Sequence, residues 1–146
     1  MVLTRRAALL GAGTLLLAGC GPPEEQEVNA TQVWGEQLRA SQRALAAYPP
    51  GISQRAKASA RVDRLEALAG AAGETPTATP SLEAALNAER VALQTHVAAV
   101  GQLSDRASRE TLATLIAETA EAVSALRLLM DEPPIVDAFP GQRNRP

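Results

Sequence analysis

The sequence predicts an all-α fold, an antiparallel up-down four-helix bundle that follows an N-terminal signal peptide. Three observations predict it. Alanine and leucine dominate the chain, and both favour helix. No segment alternates between apolar and polar residues with the period of two that marks a strand. Prolines and glycines divide the chain after residue 28 into four stretches with helical periodicity, and short links between such helices are typical of an up-down-up-down bundle.

The first nineteen residues are predicted to be a signal peptide. Arg5 and Arg6 supply positive charge, and residues 7–19 are uncharged and mostly apolar. This apolar run has the length of a signal-peptide core and is too short to cross a bilayer as a helix. Small residues then lead to a cysteine, in the order Leu17, Ala18, Gly19 and Cys20.

Residues 17–20 resemble the lipobox of bacterial lipoproteins at all four positions of its L-[AS]-[GA]-C pattern. The resemblance implies cleavage before Cys20 and at least two acyl chains, such as palmitate, on that cysteine. Two or more chains anchor a protein stably, whereas one binds a bilayer only marginally. The expected location is therefore the extracytoplasmic face of the cell membrane, with the membrane as partner through this lipid.

The start of the chain, from Thr4 to Leu9, resembles the twin-arginine export signal [ST]-R-R-x-F-L-K. It matches at Thr4, Arg5, Arg6 and Leu9, and it departs at Ala8 and Leu10. The resemblance implies export of a folded domain. The alternative is an ordinary two-arginine segment for the general export route. Because Cys20 is the only cysteine, no disulfide within the chain and no cysteine-based metal site is expected.

The rest of the chain is predicted to be one small domain. Residues 20–28 would be the lipidated cysteine and a flexible spacer, 29–132 the bundle, and 133–146 an irregular tail. Two of the 14 basic residues lie in the signal peptide, which leaves 12 against 16 acidic residues, a net charge of −4. This mild acidity, with one Trp, one Tyr and one Phe, argues against nucleic-acid binding.

Each predicted helix begins near a capping residue and ends near glycine or proline. The predicted bounds are residues 29–48, 53–69, 81–103 and 105–130. Apolar residues recur at alternating spacings of four and three on three of these helices, as bundle packing requires. The stripes are Trp34, Leu38, Ser41, Leu45 and Tyr48; Ala58, Val62, Leu65 and Ala69; and Leu112, Ile116, Thr119, Val123, Leu126 and Met130.

Two further groups of residues are given structural interpretations. Trp34 and Tyr48 are interpreted as core or rim anchors of the first helix. The basic residues of the first two helices are interpreted as a solvated face that pairs with acidic neighbours. The alternative is a patch for an acidic partner or a lipid headgroup. These residues are Arg39, Arg43, Arg55, Lys57, Arg61 and Arg64.

The third helix places two polar residues on its stripe, which runs Leu82, Leu86, Glu89, Leu93, His96, Val100 and Leu103. A competing frame (Leu86, Arg90, Leu93, Val97, Val100) would turn Glu89 and His96 to the edge. We expect both to be half-buried and satisfied by neighbours, with Arg61, Arg64 or Arg127 as candidates. The alternative is a transition-metal site completed by Glu118 and Glu121, since imidazole and carboxylate suit Fe, Mn or Zn.

Residues 82–100 (LEAALNAERVALQTHVAAV), 112–130 (LATLIAETAEAVSALRLLM) and 132–141 (EPPIVDAFPG) resemble the ferritin-like domains of unknown function found in actinobacterial lipoproteins. Metal-active ferritin-like proteins carry Glu on two helices and Glu-x-x-His on the other two. This chain has no Glu-x-x-His, and the segment from Glu118 to Glu121 keeps the spacing without histidine. The resemblance therefore implies the fold, and no metal or cofactor is predicted.

Catalytic motifs are lacking, with no Gly-x-Ser-x-Gly, phosphate-binding glycine loop or Gly-x-Gly-x-x-Gly. The sequence therefore predicts a non-enzymatic protein-interaction or structural module whose protein partner it does not identify. One alternative is a ferritin-like metal-binding or oxidoreductase-type protein that uses Glu89, His96, Glu118 and Glu121. Another is a small-molecule-binding lipoprotein with an apolar pocket between helices.

Overall fold

The computed structural model describes residues 29–71 and 76–135. These residues form four α-helices and, within the same ranges, no strand: α1 (Ala30–Ala47), α2 (Ser53–Ala69), α3 (Leu82–Ala98) and α4 (Arg106–Leu129). The predicted all-α fold with four helices is confirmed. The predicted signal peptide, the spacer up to residue 28 and the tail from residue 136 lie outside the described residues. Among the four helices, none has both the length and the apolar character needed to cross a membrane.

Side chains cap three of the four helices at their N-termini. Asn29 accepts a hydrogen bond from the Thr31 amide at 3.0 Å, Ser81 one from the Ala84 amide at 3.0 Å, and Asp105 one from the Ser108 amide at 2.8 Å. Each bond satisfies an amide that has no partner within its helix. α2 ends at Gly70, whose φ of 65° is costly for any residue with a side chain.

The predicted end of the third helix at Leu103 is wrong, because α3 ends at Ala98. Residues 99–102 form a turn in which the Gln102 amide donates to the Ala99 carbonyl at 2.9 Å. Gly101 in this turn disfavours helix. Leu103 is still buried, whereas Val100, placed on the same predicted stripe, is 48% exposed.

Contacts between helices establish their directions. α1 and α4 each contact both α2 and α3. The Ser81 amide donates to the Ala47 carbonyl at 3.1 Å, so α3 begins where α1 ends. α2 begins at that same end, after a short link. Lys57 contacts Glu121 and Arg64 contacts Glu118, which makes α4 antiparallel to α2.

The helix order is therefore up-down-down-up, and the predicted up-down-up-down order is wrong. Neighbouring helices are antiparallel, as expected, but α2 and α3 run in the same direction on opposite corners of the bundle. Residues 70–81 connect opposite ends. A helix of 17 residues such as α2 is about 25 Å long, and a connection of about twelve residues can reach about 40 Å.

Two apolar clusters fill the two ends of the bundle. We call the end where α1 begins the base and the end where α1 finishes the top. The base cluster comprises Val33, Trp34, Leu38, Val62, Leu65, Ala69, Ala99, Leu103, Leu112 and Leu115. The top cluster comprises Ala47, Tyr48, Ala58, Ala85, Leu86 and Leu126. Trp34 and Tyr48 are 4% and 0% exposed, which confirms them as core anchors.

Candidate functional site

A layer of buried polar side chains separates the two apolar clusters. We call it the polar layer, and every helix contributes to it. Each member is at most 3% exposed: Gln37 and Ser41 on α1, Arg61 on α2, Glu89 and His96 on α3, and Thr119 on α4. Buried polar groups need partners to offset their lost hydration, so the hydrogen bonds of this layer determine what it can do.

Glu89 is the centre of the charged half of the polar layer. Its Oε1 atom accepts a hydrogen bond from the Tyr48 hydroxyl at 2.6 Å and an ion-pair hydrogen bond from Nη2 of Arg61. Nη1 of Arg61 donates to the Glu118 backbone carbonyl at 3.3 Å. The carboxylate and guanidinium neutralise each other, which allows both charges to be buried.

His96 forms the neutral half of the layer. Its Nδ1 atom lies 2.7 Å from Oε1 of Gln37, and Nε2 of Gln37 donates to the Val33 carbonyl at 3.2 Å. With the Gln37 amide oriented in this way, Oε1 accepts and Nδ1 of His96 carries the proton. Burial, and then the charge of Arg61, lower the pKa of His96 to about 4, so the ring is neutral at pH 7 with a lone pair on Nε2.

Tyr48 is held in its neutral form by the same surroundings. Burial raises the pKa of its hydroxyl far above the ordinary value, and the negative charge of Glu89 raises it further. The hydroxyl therefore acts as a hydrogen-bond donor to Glu89 and is unsuited to act as a base near neutral pH.

Five atoms of the polar layer have no hydrogen-bond partner among the described residues. They are Ser41 Oγ, Arg61 Nε, Glu89 Oε2, His96 Nε2 and Thr119 Oγ1. The set mixes donors and acceptors from all four helices. Such a mixture suits ordered water molecules, each of which bridges two to four polar groups, better than it suits a bare ion.

The inward orientation of Glu89 and His96 confirms the first of the two frames considered for the third helix. Both side chains are 0% exposed. Val97 and Val100, which belong to the competing frame, are 53% and 48% exposed. Of the three arginines considered as partners, Arg61 pairs with Glu89. Full burial exceeds the predicted half-burial, because helices on all sides enclose the layer.

Glu118 and Glu121 lie on the outer face of the bundle, where they do not meet Glu89 and His96. Glu118 pairs with Arg64 at 3.1 Å, and Glu121 pairs with Lys57 at 2.6 Å. These pairs line a cleft of about 240 Å³ between α2 and α4. Lys57 also lowers the pKa of Glu121, mainly through their hydrogen bond. The cleft is rimmed by charged groups, unlike the apolar pocket considered from the sequence.

The residues present do not fit a metal centre. Across residues 29–71 and 76–135, no three His, Cys, Asp or Glu side chains come together as a metal would require. One oxygen of Glu89, Oε1, is bound to the Arg61 guanidinium, and this neighbouring positive charge opposes a metal ion at the same carboxylate. The four proposed ligands Glu89, His96, Glu118 and Glu121 thus divide between the interior and the outer face.

The predicted basic face is corrected at Arg61, which points into the core at 3% exposure. Arg39 and Arg43 are exposed, as predicted. A signal for the inward position was present in the sequence, because Arg61 lies three residues after Ala58 and four before Leu65 on the apolar stripe. Gln37 was missed by the sequence analysis, although it lies three residues after Trp34 on the same face of α1.

No protein-family model, curated protein or solved structure matches this chain. The function of the bundle must therefore be inferred from its own residues. The predicted signal residues Arg5, Arg6, Leu17, Ala18, Gly19 and Cys20 lie outside the described part of the chain.

Proposed function

We propose that this chain is an exported lipoprotein, held on the extracytoplasmic face of the cell membrane by lipid on Cys20. Its four-helix bundle acts as a non-enzymatic protein-interaction or structural module. The order of charge, apolar run and lipobox in residues 1–20 supports the anchor.

The exclusion of solvent from the polar layer is the observation that supports the non-enzymatic assignment. Glu89 and His96 are 0% exposed and Arg61 is 3% exposed, so a substrate cannot reach the groups with the most reactive chemistry. A general acid or base must lie within hydrogen-bond reach of the proton that it transfers. Here Glu89 and His96 form their hydrogen bonds with residues of other helices.

For the fold, we propose the ferritin-like class. One long connection that joins opposite ends of the bundle distinguishes ferritin-like bundles from those with short links throughout. The connection from Gly70 to Ser81 joins opposite ends in this way. A fold can be inherited without its metal chemistry, and the Arg61–Glu89 ion pair supports that interpretation here.

Metal analysis distinguishes this proposal from the ferritin-like metal-binding or oxidoreductase alternative. The purified chain should carry no stoichiometric Fe, Mn or Zn after incubation with each metal and desalting. His96→Ala should give the same metal content. Stoichiometric metal in the wild-type chain that is lost in His96→Ala would establish the alternative.

Substitution of the anchor cysteine tests the lipoprotein assignment. Cys20→Ala should abolish incorporation of labelled fatty acid and leave an uncleaved precursor or a released protein. Gly21→Ala, next to the cysteine, is the matched control and should be lipidated and retained in the membrane fraction. Normal processing and membrane retention of Cys20→Ala would refute the assignment.

A further inference from the structure

Three of the four helices contribute no charged residue to the base of the bundle. The segments that form it on α1, α2 and α3 contain no Asp, Glu, Lys or Arg: residues 29–35, 67–71 and 91–104. His96, within the last segment, is buried with a pKa of about 4 and is therefore neutral. The start of α4 is the charged part of the base: it carries Asp105, Arg106, Arg109 and Glu110, and Arg106 pairs with Glu110 at 2.7 Å.

The top of the bundle differs from the base in this respect. Charged residues stand there on three helices: Arg55 at the start of α2, Glu83 at the start of α3, and Arg127, Asp131 and Glu132 at the end of α4. The two ends therefore differ in how readily water can be removed from them, because desolvating a charge costs far more than desolvating a neutral side chain.

Exposed apolar side chains lie on the uncharged segments of the base. Leu68 at the end of α2 is 38% exposed, and Val97 and Val100 at the end of α3 are 53% and 48% exposed. The top also exposes apolar groups, including Leu128 at 59% and Leu129 at 48%, but these stand among the charges of the α4 end. Among the residues that the structure describes, the base alone combines exposed apolar groups with neutral surroundings on three helices.

The length of chain between Cys20 and the bundle keeps the base near the proposed anchor. The chain advances nine residues from Cys20 to Asn29, where the described bundle begins at its base. Nine residues span at most about 30 Å, even when the backbone is fully extended. The 18 residues of α1 place the top about 27 Å further away.

We infer that the base is a membrane-contact surface, which rests in the headgroup region of the bilayer with Leu68, Val97 and Val100 towards the lipid. This inference rests on the proposed lipid anchor. The anchor confines the base to the bilayer surface, so a weak preference of its neutral and apolar groups for the interface suffices to orient the domain. The charged top then faces the aqueous phase.

Site-specific labelling of the full lipidated chain tests the orientation. Lipidation consumes the only native thiol, so Val100→Cys provides a unique site for an environment-sensitive fluorophore. Leu129→Cys is the matched control at the top, because Leu129 and Val100 are both 48% exposed. The proteins are reconstituted into vesicles of phosphatidylethanolamine and phosphatidylglycerol that contain a nitroxide-labelled lipid.

The label at residue 100 should be quenched several-fold more by the lipid nitroxide than the label at residue 129. Adding Val97→Asp should reduce quenching at residue 100, since a charge at the base opposes its entry into the interface. Equal, weak quenching of both labels in vesicle-bound protein would overturn the inference and leave the anchor intact. Protection of residue 100 from water-borne quencher without lipid quenching would also overturn it, in favour of a protein contact.

Failure of the anchor itself gives a different result. If the wild-type chain lacks lipid and does not float with vesicles, the proposed lipoprotein assignment is wrong, and the membrane-contact inference falls with it. Vesicle flotation of the unlabelled wild-type chain therefore precedes the labelling experiment and separates the two failures.

Discussion

Arg61 and Glu89 form an ion pair across the diagonal of the bundle. Arg61 belongs to α2 and Glu89 to α3, and the Cα atoms of these two parallel helices do not come within 8 Å of each other. Their side chains are 3% and 0% exposed, so the pair is formed away from solvent. The ion pair links two helices at opposite corners, which the contacts between antiparallel neighbours do not join. It favours the alignment of α2 and α3 in which each buried charge has a partner.

Removal of one member of this pair should be strongly destabilising. Arg61→Met leaves the Glu89 carboxylate buried with Tyr48 as its remaining partner, which should lower the free energy of unfolding by about 3–5 kcal/mol. Urea denaturation followed by fluorescence of Trp34, the only tryptophan, measures the change.

Two variants serve as controls for this prediction. Arg61→Met combined with Glu89→Gln removes both charges and keeps an acceptor for Tyr48, so it should recover most of the lost stability. Lys57→Met breaks the exposed pair with Glu121, whose side chains are 64% and 63% exposed, and should have little effect. Equal losses from Arg61→Met and Lys57→Met would show that the buried pair has no special role.

The buried histidine should make the fold sensitive to acid. Burial, followed by the charge of Arg61, lowers the pKa of His96 from 6.5 to about 4 on folding. Between these values the unfolded chain binds more protons than the folded chain. The contribution of His96 to stability is therefore complete above pH 6.5 and is lost as the pH falls towards 4, by an amount on the order of 3 kcal/mol.

The comparison of wild type with His96→Gln isolates this effect. Carboxylates titrate in both proteins, so the difference between their stability profiles from pH 4 to 7 reports His96. The wild-type free energy of unfolding should fall more steeply with acid than that of His96→Gln. Parallel profiles would mean that His96 is not held neutral by burial.

The phenol of Tyr48 should resist ionisation while the protein is folded. Burial and the Glu89 charge raise its pKa, so its contribution to stability is present below pH 10, the ordinary tyrosine value, and is lost at higher pH. As the only tyrosine, Tyr48 accounts for the whole tyrosinate absorbance. That absorbance should appear near pH 10 in urea and only with unfolding in water. Ionisation at the same pH in both would contradict the buried hydrogen bond.

Deletion of the same hydroxyl tests its bond to Glu89. Tyr48→Phe removes a 2.6 Å hydrogen bond to a buried carboxylate and should cost about 1–3 kcal/mol. Thr114→Val is the control, because Thr114 is exposed and its hydroxyl bonds only its own helix at 3.0 Å. A loss for Tyr48→Phe no larger than that for Thr114→Val would rule out a stabilising role for this bond.

Disulfide trapping tests the helix order. In a Cys20→Ala background, Ala47→Cys with Ser81→Cys should oxidise readily, because the Ser81 amide lies 3.1 Å from the Ala47 carbonyl. Ala47→Cys with Gln102→Cys should not, since the end of α3 lies at the base. An up-down-up-down bundle would reverse the two results.

Conservative changes to the arginine pair distinguish the export routes. If the chain uses the twin-arginine route, Arg5→Lys with Arg6→Lys should block export and leave precursor in the cytoplasm. The general route needs only positive charge and should tolerate the change. Cell fractionation with antibody detection measures the precursor, and normal export of the double variant would exclude the twin-arginine route.

Local patterns predicted the helices better than their arrangement. Caps at Asn29, Ser81 and Asp105 and the stripe through Glu89 and His96 follow from short-range spacing, which a single sequence displays. Helix direction depends on long-range contacts such as that between Ser81 and Ala47. The length of the link from residue 70 to 81 indicated a connection between opposite ends of the bundle, because helix connections in short-linked bundles usually have two to eight residues.

The candidate site was predictable only in part, for a related reason. Glu89 and His96 stood out because they interrupt an apolar stripe. Arg61 was named as one of three candidate partners for them, but it was also placed on the basic face of α1 and α2, since charge alone does not show which way a long side chain turns. Its partner, Glu89, lies on α3, which the predicted up-down-up-down order would have placed next to α2. The sequence pattern therefore did not predict an ion pair across the diagonal of the bundle.

The start of α1 at the base and the end of α4 at the top give the molecule a direction. The 24 residues of α4 span about 36 Å, so the chain after Ile135 sets out from the end opposite to the entry of the chain. Under the proposed anchor and orientation, an epitope tag placed after Ile135 would leave the bundle at the end that faces away from the lipid surface. Under that proposal the bundle is a spacer about 36 Å long between the lipid surface and the end of α4.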